Sequence, residues 1–302
     1  MSDATVSPVR PFAVRRQAVM AQSLQVLCPA KVNLHLRVLG RRPDGYHEIL
    51  TLMQPIGLFD EISLTLGGTG INLVCDSPGV PPGEENLALR AARLFQERTK
   101  DRFGLEILLR KRIPLAAGLG GGSSDAAGVL RGLNRLRGAG VSEDVMARWA
   151  VSLGADVPFF LIEGPAWGMG IGERLERIEI LPQLWYLLLS PGWPVSTKWA
   201  YENLGPGLTR QRKGIKIPHL IAEAEEIIQL LHNDLESVTA RKHGWIPRAK
   251  VRLRNLGAAG VLMSGSGPTV FGLFLDEASA LEAMANLLLE EGESVWLAQG
   301  LS

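Results

Sequence analysis

Four glycines and two serines fall within seven residues, from Gly118 to Ser124, inside the run P-L-A-A-G-L-G-G-G-S-S-D-A-A-G that starts at Pro114. An alanine-rich helical pattern follows at once. Glycine at this density lets the backbone turn tightly and bring bare N–H groups against a ligand. The helix adds unpaired first-turn N–H groups and the positive end of its dipole. The chemistry is anion binding, and phosphate is the anion such sites most often hold. A flexible strand-to-helix loop is the plain structural alternative. Spacing excludes two familiar loops. A Walker A loop needs Lys after its last Gly, whereas Ser123 and Ser124 stand there and the next basic residue is Arg131. The dinucleotide fingerprint needs a third Gly where Ser123 stands.

Phosphoryl transfer asks a protein for positioning, charge stabilisation and a group that takes the attacking hydroxyl's proton. Asp156, in G-A-D-V-P-F-F, has Ala155, Val157, Phe159 and Phe160 around it, where an isolated carboxylate is costly to bury. It is either a base or a cap at an element boundary. Lys31 interrupts an apolar strand entry, P-A-K-V-N-L, and its ordinary reading is a solvated surface lysine. Ser123 or Ser124 could help place Mg²⁺, a hard cation that keeps most of its waters. No metal-ligand set is assigned: Asp125 adjoins the loop but reads equally as an exposed first-turn acid favoured by the helix dipole.

These residues must be held by a sizeable core, and 302 residues with 46% hydrophobic content can supply it in one large domain or two ordinary ones. Mean hydropathy is +0.11, but it comes from short apolar runs, without the roughly 18 consecutive apolar residues of a membrane span. A net charge of +1 provides no basic field for nucleic acid. Cys28 and Cys75 make neither a disulfide framework nor a metal cluster, which fits a reducing, cytoplasmic setting. Residues 1–22 carry Arg10, Arg15 and Arg16 against one acid, Asp3, and read as a disordered extension or a start assigned upstream of Met20; an organellar presequence is the alternative.

Alternation predicts strands over 24–26, 32–38 and 62–66, with a Pro43–Asp44–Gly45 turn between the second and third. Periodicity predicts helices over 86–99, 124–137, 143–153 and 221–238, and a strand at 105–109 feeds the glycine loop. A buried strand is expected over 179–189. The basic run of Arg210, Arg212, Lys213 and Lys216 reads as a solvated loop, with a contact to substrate phosphate as the sharper alternative. Strands at 261–263, 270–275 and 294–296 and a helix at 277–289 complete the chain. Helices and strands mixed without regular βαβ alternation make it α+β.

The glycine loop resembles the phosphate-binding motif of the GHMP kinases, the superfamily of galacto-, homoserine, mevalonate and phosphomevalonate kinases. Other segments narrow the resemblance to its 4-diphosphocytidyl-2-C-methyl-D-erythritol kinase family. They are P-A-K-V-N-L-H-L from Pro29, G-R-R-P-D-G-Y-H-E-I from Gly40, T-L-M-Q-P-I from Thr51, the stretch from Gly154, N-D-L-E from Asn233 and S-G-S-G-P-T from Ser264. Together they span residues 25–298, and D-G-Y-H is the most specific, since every branch shares the glycine loop. The resemblance implies a two-lobed fold: a ribosomal-S5-domain-2-like lobe over 23–177, a ferredoxin-like lobe over 178–302, and an active site between them.

It further implies ATP- and Mg²⁺-dependent phosphorylation of the 2-hydroxyl of a cytidine-diphosphate-linked methylerythritol, in the non-mevalonate route to isoprenoids. By this resemblance Asp156 is the base and Lys31 its partner, keeping it ionised and holding the acceptor hydroxyl. Pro114, Leu115, Ala116, Ala117, Gly118, Leu119, Gly120, Gly121, Gly122, Ser123 and Ser124 would wrap the phosphates. Asn86, Leu87 and Lys111 would line the adenine pocket. Asn33, Tyr46, His47, Thr197 and Tyr201 would bind the acceptor, with Tyr46 and Tyr201 on the two faces of cytosine and His47 at its edge. Tyr201 is placed by counting from Pro191 and Gly192 through Thr197, with Trp199 its nearest competitor. The Gly265 to Gly267 loop would let the second lobe close on the first. The expected partner is this small molecule, without nucleic acid or membrane, and the chain is expected as a monomer or homodimer. Another GHMP kinase, acting on homoserine or a mevalonate derivative, is the runner-up; a silent ligand sensor would not need both Lys31 and Asp156.

Overall fold

Two long strands, β1 (Ser23–Arg41) and β2 (His47–Leu66), run antiparallel and organise the first half of the chain. Their pairing shifts register at Pro29/Ala30, Asn33/His35 and Val38/Gly40. Such irregularities bend and twist a strand, and one of them accommodates Pro29, which has no N–H to give a ladder. The separate strands expected at 24–26 and 32–38 are therefore one. The computed structural model describes residues 22–81, 83–179, 181–205, 218 and 220–302. Residues 1–21 of the expected N-terminal extension, and Arg210, Arg212, Lys213 and Lys216, lie outside them.

β2 serves two neighbours along its other edge. Residues 61–66 pair with β4 (Leu105–Arg110), onto which β3 (Ile71–Cys75) adds in parallel. Residues 49–53 pair with β5 (Ala166–Gly170), which pairs in turn with β6 (Arg174–Arg177). Sequence pattern missed β3, β5 and β6 because short strands are stabilised by their neighbours more than by their own residues. Helices α1 (Leu87–Thr99), α2 (Gly121–Arg137) and α3 (Glu143–Ala150) share a core cluster with this sheet that includes Phe95, Leu109, Leu130 and Met146. α2 lies unusually near: a Cβ at Gly132 would come within 2.5 Å of Leu64 Cδ1, and one at Gly128 would overlap Cys28 Sγ. The helix begins at Gly121, three residues ahead of the expected Ser124.

The second sheet contains β7 (Trp185–Ser190), β9 (Gly260–Met263), β10 (Val270–Phe274) and β11 (Ser294–Gln299), all antiparallel. Its order, β11-β7-β10-β9, places the fourth strand beside the first and the third beside the second, a ferredoxin-like arrangement. β7 is shorter than the strand expected over 179–189, because Pro182 cannot donate to a ladder. Between the lobes, Ala30, Val32, Leu34 and Leu52 of the first sheet share a cluster with Tyr186, Leu188, Phe271 and Leu273 of the second. The division expected after residue 177 falls between β6 and β7.

The helix expected over 221–238 is not continuous. α4 (Thr197–Glu202) is followed by α5 (Ala224–Leu230), the short strand β8 (His232–Asn233) and α6 (Glu236–Lys242). β8 pairs in parallel with β1, and Asp234 N–H donates to the Leu36 carbonyl. Asn233 Nδ2 donates to the carbonyls of Met263 and Gly265 while its Oδ1 accepts from Leu235 N–H. These long-range bonds outweigh the local helical period, a tertiary override of propensity. α7 (Trp245–Asn255) and α8 (Glu277–Asn286) pack against the second sheet.

Candidate active site

The glycine loop is tied down over residues 116–119. Lys31 N–H donates to Leu119 O, Val195 N–H to Ala116 O, Thr269 N–H to Ala117 O and Ser264 Oγ to Gly118 O. Gly118 and Gly120 have φ of +79° and +74°, the left-handed region that favours glycine. A Cβ on Gly120 would stand 2.8 Å from Phe160 Cζ, and one on Gly118 would overlap the Ser264 carbonyl. Gly120 precedes α2 without any side chain capping the helix, so its first N–H groups face a cleft of about 650 Å³. Pro114, Leu115, Ala116, Ala117, Gly118, Gly120, Gly121, Gly122 and Ser123 line that cleft, with Leu87 and Lys111 beside them.

Lys31 and Asp156 meet in the same cleft. Along β1, Ala30, Val32 and Leu34 enter the core while Lys31 and Asn33 turn to the cleft, as strand alternation dictates. Lys31 Nζ lies 3.6 Å from Asp156 Oδ2 and hydrogen-bonds Asn33 Oδ1. Asn33 Nδ2 continues the chain to Thr51 Oγ1 at 2.8 Å, and Thr51 donates to the His35 carbonyl. Burial lowers the Lys31 pKa, and Asp156 works against that shift. The capping alternative for Asp156 is not realised: the 3-10 helix Pro158–Leu161 follows Val157, and no side chain caps it.

A second cavity of about 820 Å³ opens from this point. It shares Ala155, Ile171, Thr197 and Tyr201 with the cleft and adds Tyr46, His47, Arg41 and Lys198. Of the three expected aromatics, His47 is the one that lies on Tyr201. His47 stacks on Tyr201, with centroids 5.2 Å apart and planes at 23°, while Tyr46 is 60% exposed. The turn explains this: Gly45 has φ +88° and Tyr46 N–H bonds Asp44 Oδ1, while His47 begins β2. Burial raises the Tyr201 pKa, and nearby Asp156 adds to it. Thr197 Oγ1 and Ser266 Oγ are 2.9 Å apart, joining α4 to the second-lobe loop. Trp199 lines neither cavity and sits instead under Lys242 Nζ at 4.3 Å.

Two family profiles match the chain, GHMP kinases N terminal domain over residues 86–164 and GHMP kinases C terminal over 217–293. A 4-diphosphocytidyl-2-C-methyl-D-erythritol kinase of Syntrophotalea carbinolica is 50% identical over 267 residues, covering 88% of this chain and 95% of that one. The chain belongs to that kinase family. A crystal structure titled 4-(cytidine 5'-diphospho)-2C-methyl-D-erythritol kinase superposes with TM-score 0.77 at 38% identity, covering 92% of this chain and all of the other. Homoserine kinase of Cytophaga hutchinsonii, at 20% identity and TM-score 0.68 over 92% and 95% of the two chains, shares the fold.

In this kinase not every expected residue faces a cavity. Asn86 caps α1, accepting from Ala88 N–H and donating to the Pro81 carbonyl, and it does not line the cleft. Leu119 is in the inter-lobe core. Ser124 is 1% exposed and its Oγ has no hydrogen-bond partner, so of the two serines only Ser123 reaches the cleft. Asp125, allowed as an exposed acid, is instead buried and paired with Lys111 at 2.7 Å. Burial pushes its carboxyl up to about 7 against the pull of Lys111. Sequence reading also missed Asp60, 0% exposed and bonded to Lys111, and Ile171 at the junction of the two cavities. The available signal for Asp60 was an acid directly after the apolar G-L-F run, at Gly57 to Phe59, in a strand whose inward positions are apolar.

Proposed function

We propose that this kinase transfers the γ-phosphoryl group of ATP to the 2-hydroxyl of 4-diphosphocytidyl-2-C-methyl-D-erythritol, a step of the non-mevalonate isoprenoid pathway. The observation that carries the reading is the junction: a phosphate-type loop and a second cavity lined by Tyr46, His47 and Tyr201 meet where Lys31 and Asp156 face each other. ATP fits the cleft, whose loop is built from glycines that a Cβ would clog, beside uncapped helix N–H groups. The acceptor enters from the other cavity, its cytosine against Tyr46 and the His47–Tyr201 stack, with Arg41 and Lys198 near its diphosphate.

Asp156 takes the proton of the attacking hydroxyl, and Lys31 keeps the carboxylate ionised and the hydroxyl in place. Asn33 and Thr51 fix the lysine so that the pair needs little reorganisation. Asp156 is the one carboxylate lining the cleft among the described residues, so Mg²⁺ would be held mainly through the nucleotide's phosphates and water, with Ser123 the hydroxyl that the glycine loop itself offers. Bound there, the ion supplies charge neutralisation of the transferring phosphoryl group. No helix among the described residues is long and apolar enough to cross a membrane, and two free cysteines fit action in a reducing cytoplasm. The deciding experiment measures ADP release with the cytidine-diphosphate acceptor beside homoserine and mevalonate. Turnover confined to the first supports the reading; a preference for either of the others moves this chain to another branch.

A further inference from the structure

Beneath the glycine loop, the cleft rests on three charged side chains withdrawn from water. Lys111, Asp60 and Asp125 are 5%, 0% and 4% exposed in their side chains. Both oxygens of Asp60 are engaged: Oδ2 meets the Lys111 ammonium, and Oδ1 accepts the backbone N–H groups of Arg112 and Ile113 at 2.6 and 2.9 Å. It therefore pins the segment between β4 and the glycine loop to β2. Asp125, in the first turns of α2, gives one oxygen to Lys111 at 2.7 Å, and its other oxygen has no partner. Two carboxylates from different elements thus converge on one ammonium.

An ammonium has three N–H donors. Two go to Asp60 and Asp125, and the third has no partner among the described residues. Lys111 nevertheless lines the cleft, and a Cβ on Gly121 would lie 3.2 Å from its Nζ. The ammonium is therefore packed against the first residue of the phosphate-loop helix, in a fixed orientation, with one donor to spare. A buried lysine without partners would lose its charge or leave the interior. Here neighbouring carboxylates offset burial and hold it as a cation.

We propose that Asp60 and Asp125 are positioning residues of the nucleotide site, acting through Lys111 to aim its remaining N–H at ATP. The proposal rests on the reading of the cleft as the ATP site. Asp125→Asn keeps the shape of the side chain while removing the charge that orients the ammonium. Loss of one charge-assisted hydrogen bond should weaken binding of a non-hydrolysable ATP analogue about tenfold, with KM for the acceptor unchanged.

Calorimetric titration of the full chain tests this in wild type, Asp125→Asn, Lys111→Met and the double variant. If Asp125 acts through Lys111, the double variant binds the analogue no more weakly than Lys111→Met alone. Additive losses, unchanged affinity in folded Asp125→Asn, or an equal rise in acceptor KM would overturn the proposal. Should Lys111→Met fail to fold, Lys111→Gln, which removes the charge and keeps a donor, serves the same cycle. Wild type that binds no ATP analogue would instead defeat the reading of the cleft, a result distinct from any of these.

Discussion

Lys31 and Asp156 stand 3.6 Å apart with unequal access to solvent, the lysine side chain 4% exposed and the aspartate 38%. The cation is locked in the protein and the carboxylate is open to whatever enters the cleft. That asymmetry suits a base held ionised by a fixed neighbour, because only the carboxylate has to touch substrate. A mutually exposed pair would gain little, since surface ion pairs contribute about 0–1 kcal/mol.

Asp156→Asn should fold normally and bind ATP while losing about 10²–10⁴-fold in kcat, the usual contribution of a positioned base. Lys31→Met should show a comparable loss, and the double variant should lose clearly less than the product of the two. Steady-state kinetics alongside analogue binding checks this. Near-normal kcat in folded Asp156→Asn would remove Asp156 from the mechanism.

The alkaline side of the pH profile should belong to Lys31. Burial lowers its pKa from the ordinary lysine value of 10.5, so the ammonium is present at low pH and is lost as pH rises through that lowered value. kcat/KM should fall with it. Lys31→Arg, whose guanidinium stays charged, should retain less activity at neutral pH but show no such fall over the same range. An identical alkaline limb in both proteins would assign it to another group.

Gly120→Ala tests the loop. Its φ of +74° and the 2.8 Å approach of a new Cβ to Phe160 Cζ must both be accommodated. The left-handed conformation alone costs an L-residue roughly 1–2 kcal/mol, so the melting temperature should fall and the affinity for ATP analogue should drop. Unchanged affinity would mean that the loop does not cradle phosphate.

Tyr46→Ala should raise KM for the cytidine acceptor about ten- to hundredfold, in line with roughly 1–3 kcal/mol per stacked base, and leave KM for ATP nearly unmoved. Trp199→Phe, which lies outside both cavities, should change neither. A rise in the ATP KM with Tyr46→Ala would reverse the assignment of the two cavities.

Much of this was legible in the chain itself. The glycine loop, the strand entering it and the α+β mixture follow from local rules, because tight turns need particular residues and half-buried strands alternate. The branch of the kinase superfamily was legible from D-G-Y-H and its companion motifs. Local rules also misled. The helical period over 221–238 was real, yet Asn233 and Asp234 spend their bonding capacity on Gly265, Met263 and Leu36, residues far away in sequence.

Tertiary structure alone decided which polar residues face the cleft. Ser123 and Ser124 are equivalent by spacing, but the seating of α2 on β1 through Gly128 and Gly132 buries one and presents the other. Asp125 looks like a solvated first-turn acid until β2 and β4 bring Asp60 and Lys111 against it. Tyr46 and His47 are adjacent in sequence, and only the turn at Gly45 with the position of α4 sets one ring in the open and the other on Tyr201. Sequence specifies the residue types and backbone freedoms that a site requires. Burial and pairing arise from elements distant in the chain, and those are set by the packing of the whole.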